Sequence, residues 1–178
     1  NGNILATSTV VYNMVVDAKM LSKEENQEYL QPTIDAVVKY FGLNTDDLKT
    51  SIKEHGTTSY WIAQKDISYD KVKEFKSYCN GDYAKTDLEK EQAAAVKFIY
   101  FEREYKRVYP YDTLACSVLG FANKNNEANI GIESSYNSYL KGTEGREYGY
   151  MDADNNIETV IKEAKNGDNV VSSIDMNI

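Results

Sequence analysis

Two Ser-x-x-Lys tetrapeptides, Ser68-Tyr69-Asp70-Lys71 and Ser138-Tyr139-Leu140-Lys141, are the first residues whose types and spacing could do chemistry. On a helix this spacing sets an amine one turn from a hydroxyl, within reach of its proton, which is the start of serine acyl transfer. With 12 Ser and 17 Lys in 178 residues, chance supplies about one such pair. Ser135-Tyr136-Asn137 imitates the Ser-x-Asn companion of that chemistry, but Lys-Thr-Gly is missing and Lys141-Gly142-Thr143 has the wrong order. The lone His55 stands by Gly56 at a predicted helix end, where a cation meets the negative dipole, with no second His at ligand spacing. Asp46-Asp47, Glu102/Glu104 and Asp152/Asp154 pair carboxylates as glycosidases do, but sequence fixes no separation between them and solvated faces are the plainer reading. No catalytic set, no metal site and no cofactor site is predicted.

Composition narrows the field further. The formal charge is −8, with pI near 4.8, and this leaves no basic face to displace counterions, so nucleic acid is not an expected partner. No run approaches the 18 or so apolar residues of a membrane span. Cys79 and Cys116 are too few for a disulfide framework and are expected to be unbonded. The 15 Tyr suit half-buried strands and also offer rings on which sugars stack.

The elements that would position these residues read as α+β. A strand is expected over 4–16. Ser22 caps a helical stretch, Pro32 opens a second that Gly42 ends, and Asn44 or Thr45 caps a third that Gly56 closes. A strand over 60–67 leads into a helix over 69–78, stopped by Gly81. The β-rich run 93–109 is expected to pair with the first strand. Beyond Pro110, a buried helix is read over 113–121 and another over 131–140. The tail reads as a β-meander, 148–152, 157–164 and 170–174, with turns at Asp154-Asn155-Asn156 and Asn166-Gly167.

Three spaced segments give a family resemblance: Gly2-Asn3-Ile4-Leu5-Ala6-Thr7-Ser8; then Arg107-Val108-Tyr109-Pro110-Tyr111 with Leu119-Gly120-Phe121; then Gly131-Ile132-Glu133 with Tyr136, Leu140 and Gly142-Thr143-Glu144-Gly145. Together they resemble the N-terminal, non-catalytic module of class B penicillin-binding proteins, over nearly the whole chain. The closing Ser172-Ser173-Ile174-Asp175 is similar to the family's Thr-Ile-Asp strand, with Ser173 in place of Thr. Two departures stand out: Asn1 occupies the place of the family's leading Arg, and Ala128 that of a patterned Gly.

The resemblance implies an elongated pedestal, 1–19 with 93–178, carrying an inserted, mostly helical head over 20–92. It implies a role in peptidoglycan synthesis outside the cytoplasmic membrane, with a transmembrane anchor before Asn1 and a transpeptidase domain after Ile178. The expected partners are that domain, a SEDS-type glycosyltransferase or another divisome or elongasome membrane protein, and a second copy of the chain. Gly2, Leu5, Ala6, Arg107, Tyr109, Pro110, Gly120, Gly131 and Glu133 are the motif residues it singles out, as structural rather than catalytic positions. Two rival readings follow from the residues alone: a Tyr-rich glycan-binding module, and a small serine acyltransferase using Ser68 and Lys71.

Overall fold

The computed structural model describes residues 2–123, 127–143, 145–151 and 157–174. The chain is α+β and divides into two compact units, Ser8–Lys106 and Asn1–Thr7 with Arg107–Ile178. The first unit is wider than the insertion expected over 20–92, because the strands flanking it contribute to its core.

That unit is organised by β1 (Thr7–Val16), the middle strand of a three-stranded sheet of order β2-β1-β3, with β2 at Trp61–Ser68 and β3 at Ile99–Val108. The pairing expected between the first strand and the 93–109 run is present. β1 and β2 run antiparallel from Val11 opposite Ser68 to Val16 opposite Trp61, with bulges between Tyr12 and Val15. Alternation gives one face of β1 to the helices through Met14 and Val16, which are 0% and 1% exposed.

Helices cover that face. Asp17 caps α1 (Ala18–Leu21) by accepting the Met20 N–H at 2.9 Å, so Ser22 follows this helix rather than starting one. A 3-10 turn, Glu24–Asn26, leads into α2 (Gln27–Phe41). Pro32 lies inside α2 instead of opening it: Gln27 to Gln31 are competent helix formers, and Tyr29 and Leu30 already pack on the core. Gly42 ends α2 in the left-handed conformation, and Asn44 caps α3 (Thr45–Glu54) through two backbone N–H groups. α4 spans Tyr69–Cys79. Ile34, Val37, Phe41, Leu48, Ile52, Val72 and Phe75 complete the core, in which the rings of Phe41, Phe75 and Phe101 meet pairwise at 5.1–5.8 Å.

One helix in this unit was not expected. α5 (Asp87–Ala94) begins with a full capping box, Thr86 accepting from Glu89 N–H while Glu89 accepts back, and takes Ala93 out of the predicted strand. β3 starts only after Phe98, whose φ of 63° turns the chain.

Thr33, 1% exposed, joins α2 to this entry point: its hydroxyl accepts the Lys97 N–H at 3.1 Å and faces the Lys97 carbonyl at 3.3 Å. Thr33→Val keeps the volume and strips both backbone groups of their partner, so it should cost about 2 kcal/mol, with Thr33→Ser recovering most of the loss. Denaturation followed by fluorescence of Trp61, the chain's single tryptophan, reads this unit; an unchanged midpoint for Thr33→Val would refute the claim.

In the second unit the helix expected over 113–121 is only α6 (Cys116–Leu119), and Val118 and Phe121 are exposed. Asp112 and Ala115 adopt positive φ, which prevents an earlier start. The helix expected over 131–140 is broken at Tyr136 into α7 (Gly131–Ser135) and α8 (Asn137–Leu140). β4 (Arg146–Met151) and β5 (Ile157–Lys162) form an antiparallel pair, Arg146 opposite Lys162. Among the described residues of the tail, β4 and β5 are the paired strands, and 170–174, expected as a third, is irregular. The Asp154-Asn155-Asn156 turn lies outside the described residues, as do Glu144 and the residues from Asp175 onward.

Candidate functional site

The residues that could have done chemistry are placed as structure. Ser68 precedes α4 with no side-chain cap bond, and both it and Lys71 are exposed. His55 ends α3, its ring stacked on Trp61 at 4.9 Å and its Nδ1 2.8 Å from the Ser51 carbonyl. Glu102 accepts from the Tyr60 hydroxyl and Glu104 from the Asn13 amide, each at 2.6 Å. Asp46 and Asp47 occupy the first turn of α3, and Asp152 and Asp154 lie outside the described residues. Cys79 and Cys116 carry free thiols, and burial pushes that of Cys79 up to about 11. Among the described residues no group of three or more His, Cys, Asp or Glu is placed to hold a metal ion.

A different cluster forms in the second unit. Arg107 is the next-to-last residue of β3, and Glu133 sits in the first turn of α7, 5% exposed as a residue. The guanidinium gives two hydrogen bonds to one carboxylate oxygen, Nε at 3.0 Å and Nη2 at 2.8 Å to Oε1. Their side chains are 16% and 7% exposed, so the pair is shielded from water. Tyr109 joins it. Its hydroxyl accepts the Ala122 N–H at 2.8 Å, and its pKa is raised chiefly by burial, opposed by the Ala122 hydrogen bond and by Arg107 beside it. Pro110 then starts the turn in which Asp112 N–H bonds back to the Tyr109 carbonyl at 3.1 Å.

Gly120 and Gly131 explain why the motif needs glycine. Gly120 has φ 75° and ψ −163°, a region essentially closed to residues with a Cβ, and a Cβ there would lie 1.8 Å from the Ile130 carbonyl oxygen. At Gly131, with φ 69°, a Cβ would meet the Val118 carbonyl oxygen at 2.4 Å and the Gly120 nitrogen at 2.6 Å. The backbones of 118–120 and 130–131 therefore pass in direct contact. The crossing delivers Glu133, two residues on, to Arg107.

The structure thus brings Arg107, Tyr109, Gly120, Gly131 and Glu133 together. Gly2, Leu5 and Ala6 belong to the same unit, Leu5 and Ala6 half-buried, Gly2 exposed at φ 70° with open space where a Cβ would go. Sequence reasoning passed over a second crossing. A Cβ on Gly142 would lie 2.4 Å from the Lys165 carbonyl oxygen and one on Gly167 2.0 Å from that of Leu140, while Thr143 and Lys165 exchange backbone hydrogen bonds at 2.9 Å. The Asn166-Gly167 dipeptide was a visible signal, but it reads as a turn and not as a close approach.

Comparison with known proteins agrees with the motif pattern. The Neisseria meningitidis serogroup A protein described as a probable peptidoglycan D,D-transpeptidase, PenA, is 24% identical over 183 residues, covering 100% of this chain and 28% of its own length. The peptidoglycan D,D-transpeptidase FtsI of Buchnera aphidicola subsp. Schizaphis graminum is 34% identical over 101 residues, 55% of this chain and 16% of its own. This chain therefore spans well under a third of these relatives. In fold it is similar to the crystal structure of penicillin-binding protein 2X from Streptococcus thermophilus, with a TM-score of 0.63 at 23% identity over 94% of this chain and 26% of that one. The sequence model of the penicillin-binding protein dimerisation domain matches residues 1–172, which takes in the Arg107–Glu133 pair and both glycine crossings, and by that match the chain belongs to the penicillin-binding protein dimerisation-domain family.

Proposed function

We propose that this chain is the non-catalytic pedestal of a peptidoglycan D,D-transpeptidase, seating that enzyme's catalytic domain and presenting surfaces to other proteins of cell-wall synthesis. The observation that carries the reading is the backbone crossing at Gly120 and Gly131, closed by Arg107 and Glu133: the family's patterned residues are spent on holding a junction. Exposed apolar side chains of the same unit support a seating role, with Val118 and Phe121 each 52% exposed and Ile130 49%. In this reading the module works on the extracytoplasmic face of the membrane. Among the described residues no helix is long and apolar enough to cross a membrane. Its partners are the transpeptidase domain itself, a SEDS-type glycosyltransferase or another division or elongation protein, and a second copy.

Two measurements test the proposal. The isolated chain should stay unlabelled by a fluorescent penicillin, and covalent labelling lost in Ser68→Ala would replace the pedestal with an acyltransferase. In the full-length parent, Phe121→Asp with Ile130→Asp should lower the melting temperature of the penicillin-binding domain by several degrees while leaving the isolated module folded. An unchanged melting temperature would overturn the seating role.

A further inference from the structure

Away from the junction, the first unit carries an aromatic cleft of about 200 Å³ lined by Lys39, Tyr40, Tyr78, Tyr83, Glu89 and Gln92. It is built on α2, α4 and α5. Tyr40 is held from behind by an edge-on contact with Phe75 at 5.8 Å, and its ring lies 5.1 Å from that of Tyr78 at 38°. The Lys39 ammonium stands 5.2 Å from the centre of each ring. Tyr83, 58% exposed, forms the open rim. Burial pushes the hydroxyl pKa values of Tyr40 and Tyr78 up, so both remain neutral donors. The Glu89 carboxylate is committed to the capping box, its Oε2 accepting from Lys85 and Thr86 N–H.

These features define a ligand. The cleft is smaller than the 300 Å³ or more of a drug-sized pocket and fits one small ring. Tyrosines offer an apolar face with a hydroxyl at one edge, the complement of a pyranose with its C–H patch and equatorial hydroxyls. The Lys39 ammonium and the Glu89 carboxylate, both in the lining, carry opposite charges that balance, so the cleft favours a neutral guest. The Gln92 carboxamide offers a donor and an acceptor to an amide.

We propose that this cleft binds one neutral N-acetylated sugar ring of a glycan chain. The identification of that glycan with peptidoglycan rests on the pedestal reading above; the chemistry of the cleft does not. The probe is chitotriose, titrated into the isotopically labelled chain and followed by amide NMR, with maltotriose as the control lacking acetamido groups. Saturable shifts confined to residues around 39–40, 78–84 and 89–93 are expected with chitotriose and not with maltotriose. Tyr83→Ala, at an exposed position that leaves the core intact, should weaken binding about tenfold, as expected for loss of one stacking ring. Absence of saturable shifts, equal response to maltotriose, or unchanged affinity in Tyr83→Ala would each overturn the proposal. None of these outcomes touches the penicillin-labelling or melting tests of the pedestal.

Discussion

Gly120→Ala is expected to unfold the junction while leaving the three-stranded sheet and its helices in place. The added methyl would lie 1.8 Å from the Ile130 oxygen and 2.5 Å from its carbonyl carbon, both backbone atoms that no rotamer change can move aside. A conformational cost comes on top, because φ 75° with ψ −163° is a glycine region. Together these exceed the roughly 4 kcal/mol that marks the severe tail of point substitutions. Gly2→Ala supplies the control. It shares a positive φ, 70°, but has nothing within 4 Å, so it should cost only about 1 kcal/mol. Hydrogen exchange resolved by peptide is the measurement: in Gly120→Ala, peptides from 107–143 should lose protection while those from 8–106 keep it. Retained protection across 107–143 would mean that the two backbones do not touch.

The second large effect belongs to Arg107 and Glu133. Removing either partner breaks a shielded, doubly hydrogen-bonded ion pair, and Arg107→Ala and Glu133→Ala should each cost about 3 kcal/mol or more. At 16% and 7% exposure solvent screens little of this, unlike the exposed Lys23–Glu25 and Lys106–Asp66 pairs, whose loss should cost under about 1 kcal/mol. The double alanine variant should cost clearly less than the sum of the singles. Replacing both residues together, Arg107→Met with Glu133→Leu, should come closer still to the parent, because no charge then needs solvation. Arg107→Lys should behave like a deletion, since the two donors on Oε1 come from one planar group that an ammonium cannot reproduce. Calorimetric melting of the set decides: additive single effects would show that the two side chains act independently.

Much of this was readable before any coordinates, and what was readable was local or patterned. Asn44, Gly42 and Gly81 punctuate helices by rules that operate within one turn, and the apolar spacing of Ile34, Val37 and Phe41 marks a face regardless of what covers it. The β character of the first strand and of 99–108 sufficed to pair them. Failures came where a neighbour overrode the local preference. Pro32 is tolerated in α2 because Tyr29 and Leu30 before it gain by packing. The Thr86-x-x-Glu89 box was present in the sequence but was overshadowed by the β-rich run after it. The apolar stretch 113–121 looked like a core helix, yet Val118 and Phe121 face solvent in this chain. At the junction, Arg107 and Glu133 were both marked as structural motif positions, but both donors converging on one oxygen depends on backbone contacts between segments ten residues apart, which no periodicity records.

Because β1 is the middle strand, the first segment of the sheet to be synthesised is the last to be fully paired. Its β2 neighbour arrives within about 60 residues, but β3 is complete only at Val108. The bonds that close this side also span long stretches of chain: Asn13 to Glu104, Asp17 to Phe98, Thr33 to Lys97. Until that last strand emerges, the nascent polypeptide carries a hydrophobic strand with one bare edge, the arrangement most prone to pair with another chain. Folding of this unit is therefore gated by translation of residues 99–108, and a fragment ending before Ile99 will keep its helices yet associate through the open side of β1.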